Sequence, residues 1–133
     1  MVEQSLVFIK PDAVKRALVG KVVSRFEEAG LKVCQLKMMQ LTGTMADSHY
    51  AEHTHKPFYP GLKEYILSGP IVAMVLEGKG AIAQIRDLLG ATDPEKAASG
   101  TIRKDFGLSM TENVAHASDS PESAKREIGI FFS

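Results

Sequence analysis

The most apolar run of the chain, Ile71-Val72-Ala73-Met74-Val75-Leu76, decides the predicted fold. A continuous apolar run of this length is typical of a central strand that is covered on both faces. A second apolar run, Ser5-Leu6-Val7-Phe8-Ile9, ends just before Pro11 and predicts another buried strand. Between these two runs, the alternation from Leu31 to Met38 predicts a half-buried strand.

The segments around these strands show helical spacing or helix boundary residues. The predicted helices are 19–29, ending at Gly30; 45–53; 61–67; 81–89, ending at Gly90; and one that begins at Ser120-Pro121-Glu122. Residues 91–106 have no periodicity, and a loop of that length in a compact domain is usually functional. Residues 110–115 could form a last strand.

This order of elements predicts an α+β fold. The best match is a ferredoxin-like βαββαβ sandwich, a four-stranded antiparallel sheet with helices packed on it. A length of 133 residues is typical of one domain, so we expect residues 1–133 to form a single domain.

The composition excludes several classes of protein. Sixteen basic and sixteen acidic side chains give no formal net charge, which argues against a general nucleic-acid binder, and we expect no specific nucleic acid as a partner. Cys34, the one cysteine, cannot form an internal disulfide, and no apolar stretch is long enough for a membrane span or a signal peptide. We expect a cytoplasmic protein without membrane contact, and the near-zero charge permits oligomers.

One motif suggests a metal site. His49-Tyr50-Ala51-Glu52-His53 matches the H-x-x-E-H pattern of a class of zinc peptidases, and histidines four apart share one face of a helix. Those peptidases are much larger than this chain, so we interpret the motif as a solvated helix face and name no metal-binding residue. A zinc hydrolase remains a hypothesis that metal analysis would decide.

The segment Asn113-Val114-Ala115-His116-Ala117-Ser118-Asp119-Ser120 has more promise for chemistry. His116 stands at the end of a predicted strand and just before a helix N-terminus, where backbone N–H groups favour anions. Glu127 lies on the inward-facing stripe of that helix, and a buried acid needs a partner such as an imidazole N–H. The alternative is a structural His116 and a solvated Glu127.

Three cations stand near predicted irregular backbone, namely Lys10, Arg86 and Arg103. Each alone is typical of a surface charge. Together with Thr92 they would suit a polyphosphate, because guanidinium groups bind phosphate through paired hydrogen bonds. Sequence spacing does not show whether they converge.

Ordered motifs along nearly the whole chain resemble the nucleoside diphosphate kinases, in a short, prokaryotic-like form. The matching stretches are Phe8-Ile9-Lys10-Pro11-Asp12, His49-Tyr50, Lys56-Pro57-Phe58, Ser68-Gly69-Pro70, Leu89 to Pro94, Gly100 to Phe106, and Asn113 to Ser123. The resemblance implies ping-pong transfer of the γ-phosphoryl group of a nucleoside triphosphate, typically ATP, to a nucleoside diphosphate. The phosphoryl carrier would be a phosphohistidine on His116.

The resemblance also implies roles for individual residues. Glu127 would orient the His116 imidazole, and Ser118 would support that pair. Lys10 would contact phosphate and ribose, while Tyr50 would adjoin the histidine.

The remaining implied residues surround the nucleotide. Arg86, Thr92 and Arg103 would hold the α- and β-phosphates, and Asn113 would bond a sugar hydroxyl. Phe58 would stack on the base, with Leu62 and Met110 as apolar neighbours.

Further expectations follow from the same resemblance. Mg²⁺ would be held mainly by the nucleotide phosphates, without a dedicated protein site. The protein would be a homo-oligomer built from dimers, either a tetramer or a hexamer. Ala117 replaces a glycine of many members, and it would be strained only at a positive φ. A non-catalytic ferredoxin-like module that binds nucleotide or a partner protein without turnover is the alternative.

Overall fold

A computed structural model describes residues 2–132 of the chain. Met1 and Ser133, which belong to the predicted domain, lie outside the described residues. The strands are β1 (Val2–Ile9), β2 (Lys32–Met39), β3 (Ile71–Lys79) and β4 (Ala115–Ala117). The α-helices are α1 (Pro11–Lys15), α2 (Val19–Glu28), α3 (Gly43–His49), α4 (Tyr59–Ile66), α5 (Ala81–Leu89), α6 (Ile102–Phe106) and α7 (Pro121–Phe131).

The strands form one antiparallel sheet in the order β2-β3-β1-β4. This arrangement confirms the predicted four-stranded antiparallel sheet of the ferredoxin-like type, with the α3–α4 pair inserted between β2 and β3. The two most apolar segments, β1 and β3, are the central strands, as their composition predicts.

The two faces of the sheet carry separate apolar clusters. One cluster packs β1 and β3 against α2, α5 and α6, and the other packs them against α3, α4 and α7. Because side chains alternate along a strand, Val7 and Ile9 belong to the first cluster, whereas Leu6 and Phe8 belong to the second. His116 is the register partner of Phe8, so its ring lies on the α3 and α7 side of the sheet.

Two sequence predictions need correction in the segment before the site. The sequence predicts a loop without regular structure over 91–106, but the segment contains a 3₁₀ turn, Pro94–Lys96, and α6. Both begin at a side-chain cap, because Asp93 accepts from the Glu95 N–H and Thr101 accepts from the Lys104 N–H. Such short helices do not produce a detectable period in the sequence. The last strand is Ala115–Ala117 rather than 110–115.

Strand β2 is more exposed than its alternation predicts. It lies at the edge of the sheet, and its register with β3 shifts between Val33 and Gln35. As a result, Leu36 and Met38 are exposed rather than half-buried. Helix α3 ends at His49, four residues before the predicted end at His53, and the described residues include no helix long and apolar enough to cross a membrane.

Candidate active site

A cleft of about 710 Å³ opens where β1 ends and β4 begins, between the α3–α4 pair and the segment that carries α6. It is lined by Lys10, Tyr50, His53, Phe58, Gly61, Leu62, Arg86, Thr92, Arg103, Met110, Thr111, Asn113, His116, Ala117 and Asp119. Every residue that the sequence assigns to nucleotide binding is in this set, together with Tyr50 and His116. The remaining two candidates, Ser118 and Glu127, are buried behind His116.

The His116 imidazole is held on three sides. Its Nε2 atom lies 2.9 Å from Oε1 of Glu127. One ring face stacks on Phe8 at a centroid distance of 5.0 Å, and the His49 ring stands perpendicular to it at 4.5 Å. A carboxylate only accepts hydrogen bonds, so Nε2 carries the proton and Nδ1 keeps its lone pair. The structure gives Nδ1 no hydrogen bond within residues 2–132.

Glu127 is positioned by helix α7, whose N-cap is Ser120 as predicted. The Ser120 hydroxyl oxygen accepts from the Ser123 N–H at 3.1 Å, and Pro121 occupies the first turn. Ser118 donates to Oε1 of Glu127 at 2.8 Å and is itself fully buried. The predicted pairing of Glu127 with both His116 and Ser118 therefore exists in the structure, and the alternative of a solvated glutamate is wrong.

The backbone before His116 is strained at one residue. Val114 is buried and has a φ of 81°, which a β-branched side chain rarely adopts. Such a conformation costs about 1–3 kcal/mol and is typically found at functional sites. Ala117, the departure from glycine in the motif, has no positive φ and pairs with Val7 in the sheet, so alanine is not strained there.

Lys10 and Arg103 are buried cations in the wall of the cleft. Nζ of Lys10 donates to Oδ1 of Asn113 at 2.7 Å and to the Thr111 carbonyl at 3.2 Å. Burial, with a smaller effect from Arg103, lowers the pKa of Lys10 to about 8, although Asp12 opposes the shift. Burial likewise lowers the pKa of Arg103 to about 10, with Arg86 adding to the effect.

The Arg103 guanidinium is held by backbone carbonyls. Nε, Nη1 and Nη2 donate to the carbonyls of Asn113, Gly90 and Ala115 at 3.2, 3.0 and 2.7 Å. A guanidinium has five N–H donors, so two remain for another acceptor. The group is therefore preorganised, with its residual donors available to an anion.

Asn113 connects the cations to the loop before α6. Its Oδ1 accepts from Lys10, and its Nδ2 donates to the Thr92 carbonyl at 2.9 Å. Arg86 and Thr92 are exposed on the same wall, so the cations predicted from sequence do converge. The site thereby concentrates positive charge in a protein of zero formal net charge.

The opposite end of the cleft is apolar. Phe58 and Met110 are exposed, and Leu62 is partly buried beside them. Phe58 is 55% exposed, so a face of its ring is available for contact with a ligand. Lys56 places Nζ 5.9 Å from the Phe58 ring centroid.

The sequence interpretation of His49 is wrong. The motif predicts a solvated helix face, but His49 is 5% exposed and packs against Phe8, Tyr50, His116 and Phe131. Burial and the nearby charges of His116 and Arg126 lower its pKa to about 2, so the ring is neutral. His53 lies beyond the end of α3, so the two histidines do not share one helix face.

Asp119 is a lining residue that sequence reasoning did not single out. It is the only carboxylate among the lining residues of the cleft, and it is exposed at the mouth. A hydrogen bond from Ser123 lowers its pKa, and Arg86 and His116 add to the effect. In the sequence, Asp119 stands directly between Ser118 and Ser120, the N-cap of α7, and this position could have marked it as a site residue.

This arrangement suits the capture of an anionic electrophile. A neutral imidazole nitrogen is a good nucleophile near pH 7, and it faces a cleft whose cations would neutralise phosphate oxygens. The carboxylate on the opposite ring nitrogen would stabilise the positive charge that the ring acquires on attack.

Comparisons with known proteins agree with this geometry. A family model described as nucleoside diphosphate kinase matches residues 3–133. A nucleoside diphosphate kinase of Nocardia farcinica is 59% identical over 133 residues, covering 99% of this chain and 96% of that relative. One of Archaeoglobus fulgidus is 57% identical over 131 residues, covering 98% of this chain and 87% of the relative. The structure of a halophilic nucleoside diphosphate kinase from Halobacterium salinarum in complex with CDP matches with a TM-score of 0.96, at 46% identity, covering 100% of this chain and 89% of that one.

Proposed function

The chain belongs to the nucleoside diphosphate kinase family, and on that premise we propose that His116 carries the phosphoryl group between nucleotides. The activity is that of a phosphotransferase whose substrates are nucleoside triphosphates and diphosphates. A phosphohistidine intermediate is general for this family. The observation that supports His116 as the carrier is the Glu127 contact to Nε2, which leaves Nδ1 as the free nitrogen in the cleft.

In the first half-reaction, the Nδ1 lone pair of His116 attacks the γ-phosphorus of a nucleoside triphosphate such as ATP. The N–P bond forms as the bond from the γ-phosphorus to the β,γ-bridging oxygen breaks, and the nucleoside diphosphate leaves. The proton on Nε2 stays there, so the ring becomes positively charged and Glu127 neutralises it. A β-phosphate oxygen of a second nucleoside diphosphate then attacks the phosphohistidine and restores the neutral ring.

The cations would hold the phosphates during both half-reactions. The two free donors of Arg103, the exposed Arg86 and the Thr92 hydroxyl can bind the α- and β-phosphates. Nζ of Lys10 has one N–H left after its two hydrogen bonds, and this N–H can donate to the γ-phosphoryl group during its transfer. Burial strongly raises the pKa of the Tyr50 phenol, so Tyr50 would act as a neutral hydrogen-bond donor beside His116.

The base and sugar would occupy the apolar end. Phe58 offers a face for stacking, with Leu62 and Met110 as the apolar contacts. Stacking does not read base edges, which supports broad acceptance of bases. Asn113 keeps one amide hydrogen and can donate it to a sugar hydroxyl. The CDP in the halobacterial structure supports a nucleotide in this cleft.

Mg²⁺ fits the cleft as a companion of the nucleotide. Mg²⁺ prefers oxygen ligands in octahedral geometry, and the cleft offers a single carboxylate, Asp119, among several cations. Phosphate oxygens and water would therefore supply most ligands, and Asp119 would hold the hydrated ion from the mouth. When bound, Mg²⁺ neutralises phosphate charge and orients the chain of phosphates.

The assembly and location are also proposals. The exposed Leu36 and Met38 on the edge strand β2 support a homo-oligomer built from dimers, a tetramer or a hexamer. The family model matches residues 3–133, which supports one catalytic domain. A single cysteine, Cys34, supports a reducing, cytoplasmic location.

The test is transfer of label through the protein. The chain is incubated with γ-³²P-labelled ATP and Mg²⁺, freed of nucleotide, and then mixed with an unlabelled nucleoside diphosphate. We expect an acid-labile, alkali-stable adduct that moves onto the diphosphate. His116→Ala should abolish the adduct, whereas His55→Ala, which changes a histidine outside the cleft, should not.

An adduct that survives in His116→Ala would contradict the mechanism. Thermal stabilisation by nucleotide without any adduct would instead favour the non-catalytic binding module.

A further inference from the structure

His49 has no part in the proposed transfer, although its ring lies against the nucleophile. Its centroid is 4.5 Å from that of His116, with an interplanar angle of 88°. Nδ1 of His49 is buried and has no hydrogen-bond partner within residues 2–132. Buried polar atoms are nearly always hydrogen-bonded, so an imidazole nitrogen without a partner needs an explanation.

Three potential metal ligands meet at this point. One nitrogen of His49, one nitrogen of His116 and one carboxylate oxygen of Glu127 all lie within 4.8 Å of one another. For His116 that nitrogen is Nε2, because Nε2 is the atom 2.9 Å from Glu127. A small cavity of about 210 Å³ is lined by all three residues; it adjoins the main cleft, with which it shares Tyr50, His53, His116 and Asp119.

We propose that His49, His116 and Glu127 form a binding site for a transition-metal dication of the Zn²⁺ type, and that a metal bound there blocks phosphorylation of His116. The binding does not depend on the proposed function, whereas the block of phosphorylation rests on it.

The ligand set selects the class of metal. Two imidazoles and one carboxylate are a common ligand set for Zn²⁺, with water in the fourth position. Imidazole nitrogen suits Zn²⁺, Co²⁺, Ni²⁺ and Cu²⁺, whereas Mg²⁺ prefers oxygen ligands only. The Mg²⁺ that accompanies nucleotides should therefore not compete for this site.

The distances require the ligands to move closer together. Two metal–ligand bonds of about 2.1 Å at a tetrahedral angle hold their ligand atoms about 3.4 Å apart, so a pair near the 4.8 Å limit must approach by about 1 Å or more. Within the part of the chain that the structure describes, Nδ1 of His49 has no hydrogen bond to lose when the ring moves. Arg126 opposes the metal, because its Nη2 lies 3.7 Å from Oε2 of Glu127, so the site should be weaker than a structural zinc site.

A metal on Nε2 would inactivate the nucleophile by changing its tautomer. In the free protein, Nε2 carries the proton and Nδ1 carries the lone pair. When the metal takes Nε2, the displaced proton moves to Nδ1, and the ring remains a neutral imidazole with no net proton release. Nδ1 then has no lone pair with which to attack phosphorus.

The experiment measures metal binding without nucleotide. Zn²⁺ is titrated into the metal-free chain by calorimetry in the presence of excess Mg²⁺, and Co²⁺ is used as a spectroscopic probe of the ligands. We expect one ion per chain, and a Co²⁺ absorption spectrum typical of a low-coordinate site with nitrogen ligands. His49→Phe keeps an aromatic ring in the buried cluster and should weaken binding by about tenfold or more. The matched control, His55→Phe, changes an exposed histidine that lines neither cavity and should bind as the unmodified chain does.

Several results would overturn the proposal. These are no saturable binding of Zn²⁺, full competition by Mg²⁺, or equal losses in His49→Phe and His55→Phe. If His49→Phe does not fold, the ligands can be read from the X-ray absorption spectrum of the zinc-loaded natural chain. We expect this spectrum to show two imidazole ligands, and a shell of water ligands alone would refute the site. If zinc binds as expected but His116 is still labelled by Mg-ATP at the same rate, the proposed block of phosphorylation is refuted. If the chain is never labelled, even without zinc, it is instead the proposed function that fails.

Discussion

Glu127→Gln removes one charge behind the nucleophile and changes little else. The wild-type carboxylate lies 2.9 Å from Nε2 of His116 and accepts a second hydrogen bond from Ser118. The amide oxygen of the substituted side chain can still accept a hydrogen bond from the imidazole, so the shape of the site and the ring position should persist. The charge that offsets the imidazolium formed during attack is lost, together with the ion pair between Oε2 and Nη2 of Arg126 at 3.7 Å.

The size of the effect follows from electrostatics. Two unit charges about 4 Å apart attract each other by about 4 kcal/mol at an effective dielectric constant of about 20. The remaining neutral hydrogen bond is worth about 1 kcal/mol. The barrier to phosphorylation should rise by about 2–3 kcal/mol, which slows the step by about 30- to 150-fold.

The assay is single-turnover phosphorylation of the chain by labelled ATP in a rapid-quench instrument. Glu122→Gln is the matched control, since Glu122 lies exposed on the same helix α7. We expect the control to label at the wild-type rate and the affinity for ATP to change little in Glu127→Gln. A Glu127→Gln rate within about twofold of wild type would refute the electrostatic role of Glu127.

Three further predictions concern binding and stability. Phe58→Ala should raise KM by about 5- to 150-fold for every base, because one stacking contact of about 1–3 kcal/mol is lost; steady-state kinetics would contradict this if kcat alone fell. Burial lowers the pKa of Lys10 to about 8, so kcat/KM should fall as the pH rises through about 8, because Lys10 loses its charge there. If the kcat/KM of Lys10→Gln still falls at that pH, another group causes the effect. Ser120→Ala removes the N-cap of α7 and should lower the free energy of unfolding by about 1 kcal/mol in urea titrations; an unchanged midpoint would mean that the cap contributes nothing.

Local sequence signals predicted the parts of the site that lie on regular elements. The Ser120-Pro121 helix start and the apolar stripe of α7 placed Glu127 on a buried face, and the structure confirms that placement. The end of β1 likewise placed Lys10 beside the site, whereas His116, predicted to follow a strand, is the central residue of β4. Periodicity carries this information because each residue's face is set by its neighbours along one element.

Contacts between distant segments could not be predicted in this way. Arg103 is held by three carbonyls from two other parts of the chain, and no sequence pattern encodes which carbonyls a guanidinium will meet. The position of His49 depends on where α3 ends and on the packing of α3 against α7. The positive φ of Val114 is imposed by the surrounding structure against the preference of a β-branched residue.

The most direct test of the whole account is the identity of the phosphorylated atom. The chain is labelled with ATP and digested at alkaline pH, where phosphohistidine survives, and the isomer is assigned by ³¹P nuclear magnetic resonance and mass spectrometry. Because Glu127 occupies Nε2 of His116, we predict a single phosphopeptide with the phosphoryl group on Nδ1 of His116. Phosphate on Nε2, or on any other residue, would contradict the proposed mechanism.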